Sequence, residues 1–213
     1  MLRPSTLPNV ITVTRIALTP VVFILLFVPT FSARLAAFLL FLVAALSDLW
    51  DGHLARKYGW ISDFGKLVDP IADKLLLLAT FLPFYILSHR PPLPTKLPLL
   101  DVLPLWVLLV VLGREALVTF LRSIAAGRGQ VIPAGKAGKL KAVFQNIFIG
   151  TTILWYALRT ARAERGWGGW FWSAWQGLHA TVLLVTLGLA VLLTVWSMSV
   201  YLWGWRRGLR AVA

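Results

Sequence analysis

The chain alternates long apolar runs with short polar connections, and each run is about as long as a bilayer is thick. A helix needs roughly 20 apolar residues to cross the hydrocarbon core. Six runs meet that length, predicting spans at about 10–29, 34–58, 62–87, 103–126, 138–158 and 178–204. Pro20 predicts a kink in the first. The third has two candidate starts: Ser62 or Asp63 as N-cap, or Asp69 followed by Pro70 at the first helical position. The pattern holds no internal repeat, long linker or low-complexity tail. The expected architecture is therefore all-α, a polytopic membrane protein of six transmembrane helices in one catalytic domain spanning 1–213.

Composition agrees with the pattern. The 213 residues are 59% hydrophobic and 14% charged, with a mean hydropathy of +0.79, outside the range of soluble domains. The absence of cysteine excludes disulfides and thiolate metal sites. Only Arg3 precedes the first apolar run and no small-residue cleavage pattern follows it, so the run reads as a first span rather than a removed signal peptide.

The net charge of +13 points to topology and anionic lipid headgroups rather than nucleic acid, which is not expected as a partner. With both termini and connections 2–3 and 4–5 on one side, thirteen Lys and Arg fall there against six on the other; Arg15 and Arg114 lie within spans. The positive-inside rule makes the richer side cytoplasmic. The Trp-rich connection holding Trp167, Trp170, Trp172 and Trp175 then lies on the far side, as an interfacial aromatic belt.

One stretch breaks the apolar pattern. Five of the eight acidic residues fall between Asp48 and Asp73. Asp48 and Asp51 are three apart on the second span and Asp69 and Asp73 four apart on the third, so each pair shares a helix face. A short connection makes the two spans antiparallel neighbours whose pairs can converge. An ionised carboxylate at membrane depth costs about 2.5–3.5 kcal/mol on insertion scales, and four together repel. Clustered hard oxygens call for divalent cations, and two cations about 3.5–4 Å apart clamp a phosphoryl group. Gly52 and Ala55 leave room for close approach, and Arg56 supplies a fork for phosphate oxygens.

In full, this stretch reads D-x2-D-G-x2-A-R-x8-G-x3-D-x3-D: Asp48, Asp51, Gly52, Ala55, Arg56, Gly65, Asp69 and Asp73. It resembles the CDP-alcohol phosphatidyltransferases, integral membrane enzymes of phospholipid synthesis. The resemblance implies two divalent ions, Mg2+ or Mn2+, held by Asp48, Asp51, Asp69 and Asp73. Asp73 would also take the proton of the attacking hydroxyl, and Asp51, Gly52, Ala55, Arg56 and Gly65 would bind CDP-diacylglycerol. It further implies a homodimer in a bacterial cytoplasmic membrane, with the site facing the cytoplasm.

The acceptor is indicated elsewhere. Pro8-Asn9-Val10-Ile11-Thr12 with Arg15, Gly113-Arg114-Glu115, Gly138-Lys139-Leu140-Lys141, and Ser197-Met198 with Tyr201 are similar to the glycerol-phosphate-using branch of the family. That implies transfer of the phosphatidyl group to sn-glycerol 3-phosphate with release of CMP. Ala142, where the family usually has Thr, and the extra Lys136 depart from the pattern. Arg114, Lys139 and Lys141 are the expected ligands of the acceptor phosphate. An Arg114–Glu115 ion pair is disfavoured, because adjacent residues do not share a helix face. Arg15 reads as structural, and Arg122, Arg128 and the C-terminal arginines as topological. His53, His89 and His179 show no metal-ligand spacing. Inositol phosphate and phosphatidylglycerol remain alternative acceptors within the family. A divalent-metal transporter is the alternative outside it, disfavoured because all four carboxylates lie on two adjacent spans.

Overall fold

The computed structural model describes residues 7–58, 63–90, 96–98, 100–127 and 136–210; within its helices the side chains of 7–8, 48–58, 63–64, 66–67, 126, 136–137 and 206–210 lie outside the description. Among the described residues six helices follow one another: α1 (Leu7–Phe27), α2 (Phe31–Tyr58), α3 (Asp63–His89), α4 (Leu105–Gly127), α5 (Lys136–Arg165) and α6 (Trp170–Arg210). No strand occurs among the described residues, only an isolated antiparallel bridge between Leu97 and Asp101. The all-α polytopic class expected from the apolar runs is the class observed.

Among the described residues three helical segments are long and apolar enough to cross a membrane by themselves: Asn9–Phe27, Val68–His89 and Trp170–Trp205; Phe31–Ser47 is a shorter apolar segment. α4 and α5 interrupt their apolar residues with polar ones, and of these Arg114, Glu115, Arg122, Lys141 and Gln145 line a shared cavity. A polar group facing the bundle rather than lipid is the arrangement a membrane interior enforces.

Helix ends follow the local chemistry, with some departures from expectation. α3 runs through Pro70 without a break, so the start at Asp69–Pro70 does not occur. The apolar face beyond Pro70, with Leu76, Leu77, Phe81 and Phe84 buried, packs well enough to outweigh one missing hydrogen bond. Pro20 likewise lies inside a continuous α1. Thr30 caps α2, accepting from the Ala33 amide at 3.4 Å, while the Glu164 carboxylate accepts from the Phe31 amide at 3.0 Å. A negative group at that end suits the free amides and the helix dipole. α5 ends where Gly166 takes φ +66° and its amide bonds the Arg162 carbonyl at 2.9 Å, a left-handed cap that favours glycine.

The expected Trp-rich loop is mostly helix. α6 begins at Trp170, so Trp170, Trp172 and Trp175 are helical and only Trp167 stays in the connection. Contacts with α5 stabilise the extra turns. Arg162 lies over the Trp172 ring at 5.5 Å, and Trp155 and Trp175 flank the His179 imidazole at 5.2 and 5.6 Å.

The packing order departs from expectation in one respect. α1 packs on both α2 and α3, α2 on α5, α5 on α6, and α4 on α3 and α6. Among the described residues α2 and α3 meet chiefly through α1 rather than as direct neighbours. The core is an aromatic seam in which Phe81 and Phe84 of α3 meet Phe148 of α5 at 5.4 and 6.2 Å, and Phe84 meets Tyr156 at 5.8 Å. At one end of this seam the apolar packing gives way to a polar cavity.

Candidate active site

The cavity has a volume of about 300 Å³ and is walled by α1, α3, α4 and α5, with Ala45 of α2 at its edge. α3 contributes Asp69 and Asp73, one helical turn apart. α1 holds both: Thr12 Oγ1 donates to Asp69 Oδ1 at 2.6 Å, and Arg15 Nη1 donates to Asp73 Oδ1 at 2.9 Å. Thr12 and Arg15 are themselves almost fully buried, three apart on one face of α1. The Asp73 side chain, by contrast, is 58% exposed, so the carboxylate is anchored at its base and open to a ligand. Arg15, read from sequence as structural, thus touches the candidate base directly.

Charge-assisted hydrogen bonds of this kind are worth about 1.5–3 kcal/mol. Arg15→Ala is therefore expected to lower kcat by at least about tenfold, through a misplaced Asp73. KM for the anionic substrates should change little and the protein should remain folded. A variant with unchanged kcat would show that the contact does not position the carboxylate.

α4 and α5 form a basic wall. Arg114 Nη1 donates to Glu115 Oε1 at 2.9 Å, and Lys141 Nζ donates to the same oxygen. The disfavoured Arg114–Glu115 pair therefore exists. Adjacent residues diverge at Cα, but both side chains are long enough to curl back, and Lys141 from α5 fixes Glu115 between them. Gly138 of α5 faces this pair, and a Cβ there would lie 4.0 Å from Arg114 Nη2, an ordinary contact. Arg122, expected to be topological, lines the cavity and stacks on the buried Tyr201 at 5.9 Å. Lys139 is exposed and is not part of the cavity lining. The structure thus joins Arg114 and Lys141 with Asp69 and Asp73 and leaves Lys139 outside.

Sequence reasoning missed Lys74, Arg122, Gln145 and Asn146, all in the lining. Gln145 had a legible signal, because Lys141, Gln145 and Ile149 recur at four-residue spacing on one face of α5. Gln145 Nε2 and Arg114 Nε are buried donors without a partner among the described residues, in residues that border the cavity. Buried donors left unmet cost about 1–3 kcal/mol each, so acceptor oxygens of a ligand suit this wall. The lining carries five cations and three carboxylates, a balance that favours an anionic ligand beside bound metal.

Gly65 is buried in α3. Asp48, Asp51, Gly52, Ala55 and Arg56 lie in the C-terminal part of α2, but their side-chain placements lie outside the described residues, as does that of His53. Asp48 follows the cavity-edge residue Ala45 by three positions, just under one turn. Among the described residues no group of three metal-ligating side chains gathers. The donor set is nevertheless suitable for hard divalent cations, because Asp69 and Asp73 present two carboxylates one turn apart in the same cavity.

Residues 5–205 match the family model described as CDP-alcohol phosphatidyltransferase. A CDP-diacylglycerol–glycerol-3-phosphate 3-phosphatidyltransferase of Bacillus subtilis (strain 168) is 36% identical over 160 residues, covering 70% of this chain and 76% of that protein. A probable phosphatidylglycerophosphate synthase of Mycobacterium tuberculosis is 38% identical over 155 residues, covering 71% and 68%. A chloroplastic/mitochondrial CDP-diacylglycerol–glycerol-3-phosphate 3-phosphatidyltransferase of Arabidopsis thaliana is 33% identical over 205 residues, covering 92% of this chain and 62% of its own. With the family model spanning nearly the whole sequence and the two aspartates of α3 facing a basic wall within one cavity, the chain belongs to the CDP-alcohol phosphatidyltransferase family.

Proposed function

We propose that this membrane enzyme transfers the phosphatidyl group of CDP-diacylglycerol to sn-glycerol 3-phosphate, giving phosphatidylglycerophosphate and CMP. The observation that carries the reading is the division of the cavity: carboxylates from α3, held by α1, share it with Arg114, Lys141 and Arg122 from α4 and α5. The relatives' names supply the substrates, and the cavity has the chemistry to hold them.

The 1-hydroxyl oxygen of glycerol 3-phosphate bonds to the phosphorus carrying diacylglycerol, and the phosphorus–oxygen bond to CMP breaks. Asp73 accepts the hydroxyl proton, and Arg15 fixes the direction from which it does so. Arg114 and Lys141 hold the acceptor phosphate, with Glu115 keeping both cations in place before substrate arrives. Arg122, stacked on Tyr201, adds a third positive group, and Gln145 offers its amide to an acceptor oxygen. Asp69 and Asp73, with Asp48 and Asp51, would hold divalent cations, which supply neutralisation of the diphosphate charge. Arg56 and the glycines Gly52 and Gly65 belong to the donor side of the site. Exposed Lys139 acts by raising the local concentration of anionic acceptor. The excess of Lys and Arg on one side supports a cytoplasm-facing site, and the homodimer common to the family belongs to the same reading.

The test is an acceptor screen with purified protein and labelled CDP-diacylglycerol. Glycerol 3-phosphate is expected to give labelled phosphatidylglycerophosphate with stoichiometric CMP. Faster turnover with inositol phosphate or phosphatidylglycerol would move the assignment to another branch of the family.

A further inference from the structure

The end of the bundle opposite the catalytic cavity carries a second concentration of positive charge. α5 links the two ends, with Lys141 in the cavity and Arg162 and Arg165 in its last turn. At about 1.5 Å per residue, the rise from Lys141 to Arg162 is about 32 Å, close to the roughly 30 Å of a hydrocarbon core. With the cavity at one membrane face, these two arginines lie at headgroup depth of the other. Both are exposed, and both stack on aromatic rings: Arg162 over Trp172 at 5.5 Å, Arg165 over Phe31 at 4.7 Å and Trp167 at 5.7 Å. Among the described residues no carboxylate pairs with either. Glu164, between them in sequence, accepts from the Phe31 amide instead.

We propose that the turn between α5 and α6 binds the phosphate of an anionic phospholipid in the leaflet opposite the cavity. The site stands apart from the catalytic one and does not depend on the phosphatidyltransferase reading. Trp172, beneath Arg162, is 6% exposed, and its Nε1 is a buried donor without a partner among the described residues. An unmet indole N–H and two guanidinium groups thus gather at one turn, and phosphate oxygens suit all three. The first turn of α6 carries no acidic residue, so its free amides add to the positive field. Stacking orders each guanidinium before a ligand arrives and leaves its N–H fork for phosphate oxygens.

Two observations make the carrier of the phosphate a lipid with an anionic head. Trp170 and Phe171 are 82% and 68% exposed, at the depth where aromatic rings enter the headgroup boundary. They continue the charged turn with a surface that lipid covers. A zwitterionic head would also bring an ammonium group to the patch, where two arginines repel it and Glu164 is already engaged with Phe31. An anionic head brings none.

The experiment titrates the delipidated full chain in detergent with phosphatidylglycerol or phosphatidylcholine and counts bound lipids by native mass spectrometry. It compares unaltered protein, the double variant Arg162→Gln with Arg165→Gln, and a control, Arg90→Gln with Lys96→Gln, that removes two exposed charges from the same end of the bundle. Lipid held in the catalytic cavity is common to all three and cancels in the comparison. The Arg162/Arg165 variant is expected to bind phosphatidylglycerol about thirtyfold more weakly, with phosphatidylcholine unaffected and the control like unaltered protein. Equal loss in the control would make net charge the cause and overturn the site, as would undiminished binding in the Arg162/Arg165 variant. Loss of a dimer mass from that variant, with lipid binding kept, would place a second copy of the chain on the patch instead. In parallel, unaltered protein is illuminated with phosphatidylglycerol carrying a diazirine next to the headgroup. Labelled peptides spanning Arg162 to Trp172 support the proposal. Labelling confined to other segments overturns it independently of any variant, and protection by an equal concentration of inorganic phosphate would assign a soluble anion in place of the lipid.

Discussion

Asp73→Asn is expected to lower kcat by about 10²–10⁴-fold, the usual contribution of a positioned general base, while CDP-diacylglycerol still binds. The change is nearly isosteric and retains an oxygen to accept from Arg15, so the α1–α3 contact and the fold should survive. What is lost is the negative charge that takes the hydroxyl proton and contributes to holding a cation. Asp69→Asn, which leaves the proposed base in place, should abolish turnover at ordinary metal concentrations, through the cation site alone. The two are separable by metal titration. Asp69→Asn should require more Mg2+ or Mn2+ and recover part of its activity at high concentration, whereas Asp73→Asn should stay slow at saturating metal. Chelation of unaltered protein should remove activity and added Mg2+ restore it. Near-normal kcat in Asp73→Asn would exclude it as the base, and full activity in a verified metal-free preparation would exclude the cations.

Lys141→Ala and Arg114→Ala should each raise KM for glycerol 3-phosphate by about ten- to a hundredfold, from the loss of one charge-assisted hydrogen bond worth about 1.5–3 kcal/mol. KM for CDP-diacylglycerol should move much less. Both cations bond one oxygen of Glu115, so their effects should not add. The double variant is expected to lose less than the product of the single losses, as residues sharing a partner generally do. Glu115→Gln should loosen both and raise the same KM. Lys139→Ala tests the exposed cation: its smaller KM increase should vanish at high salt, because solvent screens an exposed charge. Arg162, exposed beyond the far end of the core, serves as control and should have no effect. Equal losses at Lys141, Lys139 and Arg162 would mean that net charge, not a phosphate site, governs acceptor use.

The sequence by itself determined the membrane class, the number of helices and the residues that break the apolar pattern, because each depends on local information. Span length is set by bilayer thickness, and a carboxylate in an apolar run is conspicuous whatever the fold. The fixed spacing Asp48 to Asp73 also carried the family. Helix limits were less legible where tertiary contacts decide them. Pro70 reads locally as a helix start, yet α3 passes through it because the residues beyond pack on α1 and α5. Trp170, Trp172 and Trp175 read as a loop, yet they are helical, with Arg162 of α5 stacked on the Trp172 ring.

Only the tertiary structure decided how the site is divided. Arg15 and Arg122 look in sequence like any other membrane-protein arginine. One proves to hold Asp73 and the other to line the same cavity, because helix packing brings positions 58 residues apart into contact. The Arg114–Glu115 pair escaped a rule based on Cα directions, since side-chain length and Lys141 on another helix close it. Lys139 and Lys141, two apart and equivalent in composition, were separated by the rotation of α5, which buries Lys141 and leaves Lys139 exposed. Periodicity assigns residues to a face of a helix, but which face meets the cavity is settled only by the neighbours that the face packs against.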